Sequence, residues 1–344
     1  MDTYTLKVVD KRIETEDTVT LCFKQPALRK IRYKSGQYLT LMFRINGRRY
    51  VRPYSFSSSP AVDTLMEVTV KRVPNGIVSN HIHDRVQIGD AVEVMQPMGD
   101  FIFDPEEKGI DSVYFWGAGS GITPLISLAK DILTSNNRTS VHLIYGNRNS
   151  ETTIFMGVID SLLKAYPQRF KVWHFHTQLT LRDSNPFVVE GRINKDYALN
   201  IVSKTGAINT KHYICGPVGL KESVRDALVS LKVPSANILS EDFELVRNPE
   251  DFNDIHTQVV RLKFQHEEHV LEVIKGKSVL EAALDAGIEL PYSCQTGNCS
   301  TCKATCLDGK LKTIGLGKER SDLAENEYLL CCSHPLTDKV LLEV

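Results

Sequence analysis

Cys294, Cys299 and Cys302 stand in the spacing C-x4-C-x2-C, and a further thiol follows at Cys331 or Cys332. Gaps this short let three thiolates converge from one loop, and a distal thiol on a separate segment closes the site. This is the spacing of a plant-type [2Fe-2S] centre. Gly297, inside the loop, permits the backbone curvature and the close approach of amides to sulfide that such a centre needs. The alternatives are a zinc site or buried structural thiols. Zinc usually takes C-x2-C pairs, and only Cys299 with Cys302 forms one here. Cys306, four residues beyond Cys302 in an apparent strand, reads as a core thiol and not as a ligand.

A second set of residues could hold phosphate. Gly117-Ala118-Gly119-Ser120-Gly121 joins an apolar strand to a helix, where bare amides and the helix dipole accept a pyrophosphate. The run is G-x-G-x-G and not G-x-G-x-x-G. The next strand ends Tyr145-Gly146-Asn147-Arg148, without the acid that binds a ribose, so this is no ordinary Rossmann domain. Asn75-Gly76 is either a plain turn or the start of a second phosphate cradle, and Cys215 is either a buried strand-end thiol or a thiol beside a coenzyme.

The elements that must position these residues are legible in outline. Residues 1–107 carry short alternating runs, such as Tyr38–Phe43 and Met66–Val70, separated by Gly, Pro and Asn-Gly turns, which predicts an antiparallel β-barrel. Over 108–245 the pattern becomes strand, turn, helix. Strands are expected at Ser112–Trp116, Val141–Tyr145, Lys171–Phe175 and Lys211–Cys215, giving an α/β domain on a parallel sheet. Thr123 and Pro124 suit the N-cap and first position of the helix after the glycines. Residues 246–257 read as a polar linker. Over 258–344 a hairpin, then a helix opened by the Ser278/Glu281 capping box and stopped at Gly287, predict an α+β domain.

Composition agrees with a multidomain globular chain. Its 344 residues exceed one ordinary domain, and 42% hydrophobic content can fill real cores. Forty-one Lys and Arg against 42 Asp and Glu leave no field to draw in nucleic acid or an anionic membrane. The start Met1-Asp2-Thr3-Tyr4 lacks a signal pattern and no apolar run matches a membrane span, so a cytoplasmic protein is expected. Six of the eight cysteines fall between 294 and 332, which suggests a metal centre and not a disulfide framework.

Four motifs, in order, resemble those of the ferredoxin-NADP reductase superfamily. Arg52-Pro53-Tyr54-Ser55 looks like its R-x-Y-S flavin motif and Gly76-Ile77-Val78-Ser79 like its G-x-x-S pyrophosphate motif. Gly119-Ser120-Gly121-Ile122-Thr123-Pro124 looks like its nicotinamide-side loop and Cys215-Gly216-Pro217 like its C-G-P motif. With the cysteine loop, the resemblance covers nearly the whole chain and implies a β-grasp fold for the last domain. The domain order is similar to the reductase components of phenylacetyl-CoA epoxygenase and related oxygenases.

The resemblance implies that Arg52 meets the FAD pyrophosphate, Tyr54 lies on the isoalloxazine and Ser55 bonds near flavin N5. Val70 and Lys71 join the flavin contacts, and Gly76, Ile77, Val78 and Ser79 hold the phosphates. Gly119, Ser120, Gly121, Thr123 and Arg148 hold NAD(P)H, with Cys215, Gly216 and Pro217 beside the nicotinamide. Arg192 is a further candidate for the coenzyme. The family's apolar pair, Cys, three residues, then Pro aligns with Leu329-Leu330-Cys331-Cys332-Ser333-His334-Pro335 and makes Cys331 the fourth ligand. Ser300 departs from the glycine common at its position and puts a hydroxyl near the sulfides.

The expected activity is electron transfer from NAD(P)H to FAD to [2Fe-2S] to a protein acceptor. That acceptor is expected to be an oxygenase component of the phenylacetyl-CoA epoxygenase type, with a hybrid-cluster protein or a desaturase as the alternative. A carrier module without coenzyme activity is a further reading, against which the glycine loop and Cys215-Gly216-Pro217 speak. Absence of an acid after the second strand, with Arg148 in its place, leans toward NADPH.

Overall fold

The computed structural model describes residues 2–26, 30–104, 107, 109–135, 138–179, 188–205, 209–316 and 320–344. These fall into two compact units, Met1–Leu41 with Tyr54–Glu241, and Met42–Pro53 with Asp242–Val344.

The first elements are β1 (Thr3–Thr15), β2 (Thr18–Phe23), β3 (Tyr38–Ile45), β4 (Arg48–Ser55), β5 (Met66–Lys71), α1 (Ile77–Asp84) and β6 (Ala91–Met95). The six strands form an antiparallel, barrel-like sheet in the order β4-β3-β6-β1-β2-β5. All six residues of β2 are buried. Its turn from β1 is fixed by Asp17, whose carboxylate accepts from the Thr15 and Thr18 hydroxyls at 2.9 Å each. Lys11 on β1 reaches the far end of α1, donating to the carbonyls of Ile82, His83 and Val86 at 2.9, 2.8 and 2.8 Å. An ammonium there satisfies carbonyls that have no partner within the helix and opposes the negative end of its dipole.

Next come β7 (Ser112–Ala118), α2 (Ile122–Thr134), β8 (Ser140–Asn147), α3 (Met156–Ala165), β9 (Phe170–His176), β10 (Val188–Glu190), α4 (Lys195–Thr205), β11 (Thr210–Cys215), α5 (Val218–Ser230) and β12 (Ile238–Glu241). The strands make a parallel sheet ordered β10-β9-β8-β7-β11-β12. One face packs Phe115, Leu143 and Tyr213 against α2 and α3, and the other packs Tyr114, Trp116 and Ile144 against α4 and α5. In the second core Tyr114 stacks between His142 and His212, with ring centroids 4.5 and 4.7 Å away. The chain runs outward from β7 and returns to β11 on its other side, which opens a crevice at their carboxyl ends.

The expected start of α2 is corrected. Gly121 is the N-cap, and Thr123 lies inside the first turn and donates to the Ser120 carbonyl at 3.1 Å. The 3-10 turn Gly119–Gly121 leads straight into the helix and leaves no room for a side-chain cap.

The remaining elements are β13 (Gln258–Phe264), β14 (Glu267–Val273), α6 (Val279–Asp285), β15 (Lys303–Asp308), β16 (Leu311–Thr313), β17 (Glu327–Leu329), β18 (Ser333–Pro335) and β19 (Val340–Glu343). A mixed sheet runs β14-β13-β19-β15-β17, with β16 and β18 paired separately. α6 begins with the expected reciprocal Ser278/Glu281 box. Residues 246–257 include a 3-10 turn at Pro249–Phe252, and Phe252 lies edge-on to His334 at 5.1 Å. Cys306 is only half-buried, its thiol turned to the Asp308 carbonyl at 3.3 Å, because β15 is bulged there. That corrects the expectation of a core thiol.

Candidate functional site

The cysteine loop folds its thiols into two pairs. Cys294 is hydrogen-bonded to Cys299, and Cys302 to Cys331. The hydrogen bond with Cys294 pulls Cys299 down, and the same bond drives Cys294 up. Amides aim at the sulfurs, with Thr296 and Cys299 donating to Cys294 Sγ at 3.4 and 3.3 Å and the Gly297 amide reaching Cys331.

Gly297 sits at φ +75, and a Cβ there would lie 2.4 Å from Leu316 and 2.9 Å from Cys332 Sγ, so any side chain would be strained and would push on both neighbours. Among the described residues no group of three His, Cys, Asp or Glu side chains suits a metal ion. Two close thiol pairs suit a two-iron centre, each iron taking two sulfurs, so the donor set fits [2Fe-2S].

Cys331 and Cys332 do not alternate along a strand. Both occupy a turn between β17 and β18, closed by the Cys332 amide donating to the Leu329 carbonyl at 3.0 Å, and their sulfurs lie 3.4 Å apart. Cys331 carries the bond to Cys302, whereas Cys332 is fully buried beside Gly297.

Arg52 belongs to the second unit, at a cleft of about 310 Å³ whose cations are Arg48, Arg49, Arg52, Arg247 and Lys277. Arg48 and Lys277 are paired with Asp285, and Arg247 with Glu281. Arg49 and Arg52 reach only Met42 Sδ at 3.0 Å and the Val51 carbonyl at 2.8 Å, with no carboxylate partner among the described residues. Two uncompensated guanidinium groups at an open cleft fit the diphosphate of a dinucleotide flavin. Val51, just before Arg52, donates its amide to the Tyr292 hydroxyl at 3.1 Å, and its carbonyl accepts from Gln295 at 3.4 Å.

In the first unit, Gly76 caps α1 without any side-chain acceptor or acidic residue in the first turn. Ser79 is internal to this turn. Its hydroxyl accepts from the Val73 amide at 3.1 Å and donates to the Gly76 carbonyl at 3.4 Å, so the start of α1 offers main-chain amides around Ile77 and Val78. Val70 is fully buried in the barrel and its carbonyl meets His83 at 3.0 Å, while Lys71 is paired with Asp17 at 3.4 Å. Both therefore have roles in the barrel itself.

The glycine loop meets the C-G-P motif at the crevice between β7 and β11. A Cβ on Gly121 would stand 2.1 Å from the Cys215 carbonyl oxygen and 3.0 Å from the Gly216 amide. Cys215 is buried at the end of β11, where it pairs with Gly117 of β7 on one side and Glu241 of β12 on the other. Gly216 has φ +157, and Pro217 opens α5. Tyr54 is half-buried, and next to it Ser55 donates to Glu241 Oε2 at 3.2 Å. The flavin motif and the C-G-P motif thus meet through one carboxylate. Arg148 is exposed and 3.6 Å from Asp17, and Arg192 is exposed after Gly191.

Glu241 was missed in the sequence. Its only local signal was an acid at the end of a short strand, in Leu239-Ser240-Glu241-Asp242.

Three protein families match consecutive parts of the chain. They are described as the oxidoreductase FAD-binding domain over residues 5–103, the oxidoreductase NAD-binding domain over 115–226, and the 2Fe-2S iron-sulfur cluster binding domain over 262–336. The chain is 33% identical to the ferredoxin reductase component of 3-ketosteroid-9-alpha-monooxygenase of Rhodococcus rhodochrous, over 96% of this chain and 93% of that one. It is 32% identical to a component polypeptide of 1,2-phenylacetyl-CoA epoxidase of Escherichia coli K12, over 99% and 97%. Among solved structures it is similar to phthalate dioxygenase reductase, with a TM-score of 0.68, 25% identity and coverage of 99% and 98%. Among the described residues no helix is long and apolar enough to cross a membrane.

Proposed function

This chain belongs to the ferredoxin-NADP reductase superfamily, in the group that adds a [2Fe-2S] domain to the flavin and nucleotide domains, and on that premise we propose the role of each site residue and the partner it serves. It is an NAD(P)H-dependent oxidoreductase, a reductase component using FAD and [2Fe-2S]. The flavin, when bound, links a two-electron donor to a one-electron acceptor.

In our reading the chain's own groups hold and orient. Arg52 and the amides at the start of α1 take the flavin pyrophosphate, Tyr54 covers the ring, and Ser55 presents its hydroxyl near N5. Gly119, Ser120, Gly121 and Thr123 take the coenzyme pyrophosphate, and Cys215, Gly216 and Pro217 line the nicotinamide. Arg148 takes a 2′-phosphate, which gives the preference for NADPH. Cys294, Cys299, Cys302 and Cys331 hold the iron. The domains are 1–107, 108–245 and 258–344 with the linker 246–257, in a cytoplasmic protein. What carries this reading is the contact of Ser55 with Glu241, the strand neighbour of Cys215, because hydride transfer needs the flavin and nicotinamide sites within reach of each other. Comparing kcat/KM with NADPH and NADH tests the Arg148 assignment, and a clear advantage for NADH overturns it.

The acceptor we propose is an oxygenase component of the phenylacetyl-CoA epoxygenase type. Support comes from the likeness to the epoxidase polypeptide along both chains, and the similar likeness to a steroid monooxygenase reductase makes that oxygenase the comparator. Reconstitution with each purified oxygenase, following product per NAD(P)H consumed, is the test. Coupled turnover with the steroid oxygenase alone would reject the epoxygenase assignment.

A further inference from the structure

Arg320 has no place in the motifs above, yet its guanidinium is clamped onto the cluster loop and its side chain is only 14% exposed. Nη1 donates to the Gly297 carbonyl at 2.6 Å and, more weakly, to that of Cys299 at 3.5 Å. Nη2 donates to Ser300 Oγ at 2.7 Å. On the other side Nε and Nη2 grip the Asp322 carboxylate, both at 2.7 Å, and Asp322 is 57% exposed. The acceptors of this fork therefore span Gly297 to Ser300, the segment that supplies Cys299 and the Gly297 amide aimed at Cys331. The unusual Ser300 hydroxyl receives the second arm of this fork and is itself hydrogen-bonded to the Asp322 carboxylate.

We propose that Arg320, seated on Ser300 and opposed by Asp322, is a positioning residue that sets the reduction potential of the [2Fe-2S] centre. The inference rests on the reading of the four cysteines as its ligands. Reduction adds one negative charge to the centre, so a fixed cation held against the loop favours the reduced form and a fixed anion beside it disfavours that form. Asp322 faces water, which screens it more than it screens the guanidinium. The pair therefore leaves a net positive influence, and its two members act with opposite signs. A residue that only stapled the loop in place would show no such opposition.

The test is an EPR-monitored redox titration of the full-length holoprotein. Arg320→Gln should shift the cluster's reduction equilibrium toward the oxidised form about tenfold, about 59 mV for one electron. Arg320→Lys keeps the charge and should shift it less, and Ser300→Gly should shift it in the same direction as Arg320→Gln. Asp322→Asn should shift it the opposite way, roughly threefold. The flavin potential should stay unchanged in all four. Arg320→Gln and Asp322→Asn moving together, or neither moving with the cluster intact, overturns the proposal. Should Arg320→Gln fail to assemble a cluster, the sign of the Asp322→Asn shift decides. Lack of a [2Fe-2S] EPR signal in the unaltered protein would instead remove the ligand assignment, a separate failure.

Discussion

Gly121→Ala isolates the contact on which the coenzyme crevice depends. The added Cβ would stand 2.1 Å from the Cys215 carbonyl oxygen and 2.5 Å from its carbon, where ordinary contact begins at 3.4 Å, so the loop and β11 must part by 1.3 Å. Both atoms belong to backbone, and no side-chain rotation relieves the overlap. Overpacking of this kind costs about 1–3 kcal/mol, and a misplacement of about 1 Å at reacting atoms costs on the order of 100-fold in rate. The variant should fold, keep its flavin and cluster spectra, and reduce flavin with NAD(P)H roughly 100-fold more slowly in anaerobic stopped flow. Gly157→Ala is the control. It lies in α3 with nothing within 4 Å, and it should leave the rate alone while adding about 0.5–1 kcal/mol of stability. A wild-type reduction rate in Gly121→Ala would refute the idea that this packing positions the nicotinamide.

Cys331→Ala should abolish the visible and EPR signatures of the cluster while Cys332→Ala keeps them, and the opposite pattern would transfer the ligand role to Cys332. Cys215→Ala should slow flavin reduction without altering FAD content or the cluster spectrum; an unchanged stopped-flow rate would make Cys215 a packing residue only. Acid should destabilise the nucleotide domain through His142 and His212, which burial lowers to about 4 and about 3. The unfolded rings take protons below about 6.5, so stability is full above that pH and falls as pH drops toward the folded values. The slope should approach about 1.4 kcal/mol per pH unit for each ring. Urea unfolding from pH 7.5 to 5 measures it, His142→Phe should remove about half of the His-dependent slope, and a flat profile would count against the burial argument.

What the sequence disclosed and what it hid follow from how far apart the interacting groups lie. The cysteine loop was legible because three thiols and the glycine between them sit within nine residues, Cys294 to Cys302. The parallel sheet was legible because each strand is a buried apolar run followed by a helix period. Glu241 was hidden because it becomes interesting only when β12 pairs with β11 and the barrel brings Ser55 to it, 186 residues away in the chain. Arg320 was hidden because nothing in its neighbours shows that it folds back on Gly297. The choice of Cys331 over Cys332 rested on the family's pattern of apolar pair, Cys and Pro; local strand alternation could not have made it, because both thiols lie in a turn, where that rule has no force.

The position of β19 constrains how the protein is made. It lies in the middle of its sheet, parallel to β13 through Val260 and Val340 and antiparallel to β15, yet it follows every other strand of that sheet in the chain. During synthesis β13, β14, α6 and the three cysteines of the loop therefore emerge before the centre of their sheet exists. All the elements of the flavin and nucleotide sheets precede them and can close earlier. Iron delivered to the nascent loop would meet three thiols without the strand that locks the fourth segment beside them. Cluster insertion should thus wait for β19, and a cell short of iron would accumulate a flavin-loaded reductase that turns over coenzyme before it can hand on single electrons.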